Sequence, residues 1–213
     1  MQYAIIGVGV FGRACAKELQ SLGNHVLAID IDEKLIDEIA PLVSRAVIAD
    51  ATSTETLEEL GIGEFDGVLV AIGDDLEASL LCTLSLIKMN VANLWVKAKT
   101  DAHHQILQSL GVTNIIHPEQ DMGIKIAQNM NYPIVKQYMS LGDDDYVIAI
   151  SPPSSWHGVA WHDLKRQNPV MLCLVKRGKK MHDSNDDWVV APDDKLIVAG
   201  QSLALRQLVK DSY

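Results

Sequence analysis

The sequence predicts an α/β protein: a doubly wound parallel sheet with helices on both faces, followed by a small α+β unit. Three observations carry that expectation. From Met1 to about Asn131, short apolar runs alternate with amphipathic stretches across brief connections, the pattern of a parallel sheet covered on both sides. At the start, Ala4-Ile5-Ile6 runs into Gly7-Val8-Gly9-Val10-Phe11-Gly12, then an amphipathic segment, then Val26-Leu27-Ala28-Ile29-Asp30. Beyond Pro133 connections lengthen, Pro and Asp increase, and three of the four tryptophans (Trp156, Trp161, Trp188) gather. That shift marks a domain border, set here between residues 135 and 136.

The elements follow in order. A helix beginning after Gly12 puts Phe11, Cys15, Leu19 and Leu22 on one stripe and stops at Gly23. Asp30 closes strand two, and Asp32 caps a helix through Leu35, Ile36 and Ile39 that ends before Pro41. Residues 46–49 form strand three; Ser53 caps a short helix carrying Leu57 and Leu60, ended by Gly61. Residues 68–72 form strand four, and Asp74 or Asp75 opens a helix that buries Leu80, Leu84 and Ile87. Residues 94–98 make strand five, 102–110 a helix closed by Gly111, 114–117 strand six, and 119–131 a helix cut off by Pro133. The second unit reads as a strand at 146–150, a helix near 160–167, a strand at 170–175, a turn at Arg177-Gly178, strands around Val189 and 196–199, and a helix at 202–209. At roughly 70 residues it holds a modest core that packing on a second copy would stabilise.

Composition excludes several classes. With 213 residues and 48% hydrophobic content the chain supports a substantial core. The longest apolar run, Gly67-Val68-Leu69-Val70-Ala71-Ile72, is strand-length, far short of the ~20 residues of a membrane span. No basic patch precedes an apolar stretch at the N-terminus, so no secretory signal is expected and the location expected is cytoplasmic. The formal net charge of −10 disfavours general nucleic-acid binding. Cys15, Cys82 and Cys173 form no C-x-x-C pair and are expected as buried free thiols. The acidic runs Asp143-Asp144-Asp145 and Asp186-Asp187 read as solvated turns.

The N-terminal segment is a dinucleotide-binding fingerprint of Rossmann type, because a strand precedes the G-x-G-x-x-G, a helix follows it, and an acid closes the next strand. Gly7 makes the tight turn, Gly9 lets a pyrophosphate approach the backbone, and Gly12 lets the helix pack close to the sheet. Asp30 is placed to accept from ribose hydroxyls and disfavours a 2′-phosphate. A dehydrogenase also needs a substrate domain and a proton-transfer group, and neither stands out. Tyr132-Pro133-Ile134-Val135-Lys136 spells Y-x-x-x-K, but Pro133 breaks the helix that would align it. His103 and His104 are neighbours pointing about 100° apart on a helix, expected as capping or surface residues. Ordinary surface roles are expected of His157 and His162. No G-x-S-x-G, H-E-x-x-H or Walker-type motif occurs.

Phe11-Gly12, Asn93-Leu94-Trp95-Val96-Lys97-Ala98, His103-His104 leading to Leu110-Gly111, and above all Ile115-Ile116-His117-Pro118-Glu119-Gln120-Asp121-Met122-Gly123 resemble the cytoplasmic regulatory subunits of bacterial Ktr/Trk potassium uptake systems. The resemblance covers the first unit throughout and the second, a small ligand-sensing module, less closely. It implies a regulator-of-potassium-conductance (RCK) domain that forms dimers within an octameric ring and gates a separate membrane channel subunit without entering the membrane itself. It also implies an adenine nucleotide, NAD(H), ADP or ATP, contacted by Gly7, Gly9, Val10, Phe11, Gly12, Asp30, Ile31, Asp50, Ala51, Thr52, Ala71, Ile72, Gly73 and Lys97. Read alone, the short turns at 50–52 and 71–73 are equally ordinary chain reversals. Glu119 resembles a position that ligates Mg or Ca near the phosphates; an acid in the first helical turn also offsets the macrodipole without a metal. The helix that follows packs within its own domain or, as the resemblance favours, crosses to a neighbouring subunit. Ktr-type members carry arginine where this chain has Val10, and valine makes no charge-assisted phosphate contact. Trk-type relatives lack that arginine and are associated with NAD(H); Arg13 is the nearest substitute. Two alternatives stay open: a small NAD-dependent oxidoreductase, and a small-ligand sensor, for instance of a cyclic dinucleotide, serving another transporter.

Overall fold

The computed structural model describes residues 1–131, 134–165, 170–183 and 187–210. The chain forms two compact units, Met1–Asp121 and Met122–Tyr213, whose division falls inside one helix, earlier than the border read from composition. Tyr132, Pro133 and Asp186 lie outside the described residues, as do Gln167 and the rest of the helix end expected there. Among the described residues no helix is long and apolar enough to cross a membrane.

Unit 1 is built on six parallel strands, β1 Gln2–Ile6, β2 His25–Asp30, β3 Arg45–Ile48, β4 Gly67–Val70, β5 Leu94–Lys97 and β6 Asn114–Ile116, in the order β3-β2-β1-β4-β5-β6. After β3 the chain returns to the other side of β1, so the order reverses between β1 and β4 and leaves a crevice beyond their carboxyl ends. Alternation along β1 divides the core. Ala4 and Ile6 join Leu27, Ile29, Val68, Val70 and Val96 on one face, under Leu57, Leu86 and Leu107. Ile5 joins Val26 and Ala28 on the other, under Ala16, Ile36 and Ile39.

The helices follow their caps. Asp32 accepts from Lys34 N–H to open α2 Glu33–Ile39, Ser53 from Thr56 N–H to open α3 Thr54–Glu59, and Asp75 from Ala78 N–H to open α4 Leu76–Lys88. Thr100, not anticipated as a cap, opens α5 Asp101–Ser109 by accepting from His103 N–H. Helix α1, Val10–Ser21, starts earlier than expected, so Gly12 lies within its first turn. Its stripe of Phe11, Cys15 and Leu19 is only half-buried and borders an apolar groove of about 510 Å³ with Leu69, Trp95 and Ile116; Leu22 is exposed. Helix α4 also departs from expectation: it buries Ser79, Cys82, Thr83 and Leu86, while Leu84 is exposed. The small groups fit at i, i+3, i+4 and i+7 against the sheet, and Leu76, Leu81 and Leu84 form a second apolar stripe outside.

Helix α6, Pro118–Asn131, leads into unit 2. That unit holds an antiparallel sheet of β7 Val135–Gly142, β8 Asp145–Ile150, β9 Met171–Arg177, β10 Lys180–Asp183 and β11 Asp194–Gln201, in the order β10-β9-β11-β8-β7, with α7 Trp161–Leu164 and α8 Ser202–Lys210. Strands β7 and β10 were not expected from the sequence. Both are edges, and neither alternates cleanly between apolar and polar. Val189 makes only an isolated bridge to Ala160. The expectation of three buried thiols holds for Cys82; Cys15 is half-buried, and Cys173 faces outward between the inward Leu172 and half-buried Leu174 of β9.

Unit 2 contains one buried charge network. Asp194, 2% exposed, takes Arg177 Nε at 2.6 Å and Nη2 at 2.9 Å, Trp188 Nε1 at 3.0 Å and the Ala191 amide at 3.0 Å, and the guanidinium lies over the Trp188 ring. Burial pushes this carboxyl up, but its donors, Arg177 first, outweigh that and hold it below the usual carboxylate range.

Three substitutions and an acid titration test the packing of unit 1 and the charge network of unit 2. A Cβ on Gly12 would stand 1.9 Å from the Gly7 carbonyl oxygen, so Gly12→Ala is expected to destabilise unit 1 by about 3 kcal/mol or more. Gly123→Ala, where the added methyl meets open space, should change stability by less than about 1 kcal/mol; thermal unfolding followed by circular dichroism checks both. Asp194→Asn is expected to cost about 2 kcal/mol, less than a fully buried pair because Arg177 reaches solvent. Because the folded pKa is depressed, the stability Asp194 contributes is complete above the ordinary aspartate value of about 3.9 and is lost as pH falls through the lower folded value. Acid titration of tryptophan fluorescence should therefore show a transition in the native chain that the variant lacks.

Candidate functional site

The crevice at the β1/β4 reversal is shaped by backbone before side chains. Gly7 has φ +89°, and a Cβ there would stand 2.9 Å from the Ala71 carbonyl carbon and the Ile72 nitrogen. Only glycine lets β1 turn while pressed against the end of β4. Gly7 N–H donates to Ile29 O at 2.8 Å, and Val8 N–H to Asp30 Oδ2 at 2.7 Å. The chain then reaches Gly9, the N-cap of α1, which has no side-chain cap and open space where its Cβ would be. Uncapped first-turn amides beside empty space are what an anion needs at a helix N-terminus.

Four carboxylates surround this turn. Asp30, at the end of β2, takes the Val8 amide on Oδ2 and the Asp32 amide on Oδ1 at 3.0 Å. Each oxygen keeps a lone pair for a further donor such as a ribose hydroxyl. Asp50 Oδ1 accepts from Thr52 Oγ1 at 2.7 Å and Thr52 N–H at 2.9 Å, which holds its carboxyl below the usual range. Asp74 meets Lys99 Nζ at 2.9 Å and is also held low, and Asp75 caps α4. These residues border a cavity of about 400 Å³, large enough for part of a nucleotide.

Of the residues picked from sequence, Gly7, Gly9, Asp30, Ile31, Asp50, Ala51, Thr52, Ala71, Ile72 and Gly73 line that cavity. Five do not. Val10 stands at the helix tip, 93% exposed. Phe11 turns to the apolar groove on the sheet face. Gly12 packs against Gly7 and Ala71. Lys97 and Glu119 bond to each other, Nζ to Oε1 at 2.5 Å, which holds the Glu119 carboxyl below its usual range. Arg13 is paired with Glu38. Sequence reasoning missed Leu35, Ala49 and Ala78 on the wall and gave Asp74 and Asp75 only a capping role. Their position just past a strand end at the reversal point was the available signal.

Among the described residues no group of three or more His, Cys, Asp or Glu side chains could hold a metal ion. A cation at Glu119 would need ligands beyond this group, and Lys97 occupies the carboxylate. The adjacent histidines separate as their helical spacing requires, but not as surface residues. His103 is 2% exposed; its Nδ1 accepts from Lys99 N–H at 3.4 Å and its Nε2 is buried without a hydrogen-bond partner. His104 Nδ1 lies 2.9 Å from His117 Nε2, joining α5 to the end of β6. In unit 2, His157 is half-buried with Nε2 likewise unpartnered, whereas His162 is partly exposed beside Asp163 and Asp187. Unit 2 also has a cavity of about 160 Å³ between Tyr138, Tyr146, Ile148, Leu205 and Arg206.

The TrkA-N domain model matches residues 3–118. The chain is 44% identical over 209 residues to Ktr system potassium uptake protein A of Bacillus subtilis, covering 97% of this chain and 94% of that protein. It is 44% identical over 207 residues to the protein of the same name from Vibrio alginolyticus, covering 92% and 94%. In fold it is similar to the GsuK channel, with a TM-score of 0.71 at 11% identity over 98% of this chain and 39% of that one. The glycine turn, the acid-lined crevice and these matches lead to one conclusion: the chain belongs to the TrkA-N family, among the Ktr-system potassium uptake proteins.

Proposed function

We propose that this protein is a non-enzymatic regulatory subunit that binds an adenine nucleotide in the crevice of unit 1 and gates a potassium-conducting membrane partner according to that occupancy. The observation that carries the reading is the open, uncapped helix start at Gly9 beside Asp30, in a chain whose full-length relatives are potassium uptake proteins. Residues 1–135 serve as the nucleotide domain and 136–213 as the second regulatory domain. The protein acts at the cytoplasmic face, through its partner.

Charge narrows the nucleotide. Asp30, Asp50, Asp74 and Asp75 line the cavity, and no lysine or arginine is among the described lining residues. Carboxylates along the wall repel a triphosphate more than the less charged pyrophosphate diester of a dinucleotide. Val10 adds no cation. The wall therefore favours NAD(H), with ATP or ADP binding when Mg or Ca accompanies the phosphates.

Assembly into a ring accounts for apolar surface that each unit leaves open. The groove beside Phe11 and Trp95, the outer stripe Leu76, Leu81 and Leu84 of α4, and Met122, Ile124, Ile126 and Met130 of α6 are exposed. Surface of that kind marks contact between chains.

Thermal shift with NAD, NADH, AMP, ADP, ATP and cyclic di-AMP, each with and without magnesium or calcium, tests the assignment. NAD(H) should stabilise the chain without a divalent ion, by about 2.7 kcal/mol at a hundredfold excess over Kd, and ATP only with one. Asp30→Ala should weaken binding roughly tenfold, through lost charged hydrogen bonds. No shift with any nucleotide, a monomeric protein in solution, or turnover of NADH with a carbonyl substrate would each defeat the reading. A shift with cyclic di-AMP alone would move the sensing role away from this crevice.

A further inference from the structure

We infer that Lys97 is an exchangeable cation that leaves Glu119 for a phosphate of the bound nucleotide, so that occupancy of the crevice frees the acid at the start of α6. This rests on the nucleotide reading of the crevice and adds the way occupancy would be reported within unit 1.

The geometry supplies the reach. Lys97 ends β5, and its side chain is 12% exposed, whereas that of Glu119 is 70% exposed. Its Nζ lies 3.2 Å from the point where a Cβ on Gly73 would stand, and Gly73 lines the cavity. The ammonium thus sits directly behind the cavity wall at a place where no side chain intervenes, turned toward Glu119 at 2.5 Å.

The other nearby cations are poorer candidates. Arg13 is held by Glu38 of α2. Lys99 bonds Asp74, with both side chains well exposed to screening water. Lys97 alone of these combines a covered ammonium with an approach to the wall. A phosphate entering among four carboxylates needs a positive partner, and a charge-assisted N–H···O bond in a covered place outcompetes one to an exposed, well-hydrated carboxylate.

Exchange makes the ligand and Glu119 competitors for one ammonium, and that fixes the sign of each substitution. Removing the competitor must tighten nucleotide binding; removing the ammonium must weaken it. A merely structural role for the ion pair predicts loss in both cases. A metal-ligand role for Glu119 predicts loss on its removal when divalent ions are present and no change when they are absent.

The experiment is calorimetric titration of the full chain with NADH in EDTA, at low and moderate salt. Glu119→Gln, a near-isosteric change on an exposed side chain, should tighten binding about two- to fivefold, the equivalent of one partly exposed ion pair. Lys97→Met should weaken it roughly tenfold or more. The double variant should match Lys97→Met, because Glu119 then has nothing to compete for. The gain in Glu119→Gln should shrink as salt rises. Wild-type binding with Glu119→Gln unchanged or weaker overturns the exchange while leaving the nucleotide reading intact. Absence of wild-type binding to NADH overturns both.

Discussion

The close approach of three backbone segments, at Gly7, Gly12 and Ala71, is the constraint from which the rest of unit 1 follows. A Cβ at Gly12 would stand far inside the van der Waals contact distance to Gly7 O, and one at Gly7 would press on the peptide between Ala71 and Ile72. That packing brings the start of α1 down onto the ends of β1 and β4. It places Gly9 with open space in front of it and sets the Val8 amide on Asp30. The crevice is a consequence of backbone geometry, and side chains then decide what enters it.

Those side chains give the crevice an unusual electrostatic character. The wall is acidic, and the cations near it are already engaged: Lys97 by Glu119, Lys99 by Asp74, Arg13 by Glu38. Three of the four acids also serve a local structural purpose. Asp30 holds two loop amides, Asp50 holds Thr52, and Asp75 caps α4. The same carboxylates therefore stiffen the site and set the charge that a ligand meets, so charge at Asp30, Asp50 or Asp75 cannot be tuned without loosening the loops.

Much of unit 1 was legible in the sequence because its signals are local. The glycine spacing, the caps Asp32, Ser53 and Asp75, and the apolar runs each act within a few residues, and the six strands appear where those runs lie. What escaped depends on tertiary pairing. Helix α4 carries apolar residues around most of its circumference, so its pattern does not say that Ser79 and Thr83 face inward. His104 finds His117 thirteen positions away, and no periodicity joins them. Edge strands β7 and β10 bury little on either face, and the alternation that identifies a strand is lost. In the crevice, Asp74 and Asp75 looked like helix openers because one of them is; their second role follows only from the order of strands.

A sensor and a catalyst place different demands on such a pocket. A catalyst needs reacting groups fixed before the substrate arrives, so an ammonium that must change partners on binding would be a defect. A sensor needs the opposite, because a ligand moves a conformational equilibrium only by the difference in its interactions with the two states. Lys97, held by an exposed acid at the head of α6 yet lying close behind the cavity wall at Gly73, provides such a difference in one side chain. The remaining acids would lower the affinity for polyanions, which would let occupancy follow changing ligand levels. On this argument the acidic wall, at first sight a poor match for a phosphate, is what makes the one mobile cation informative.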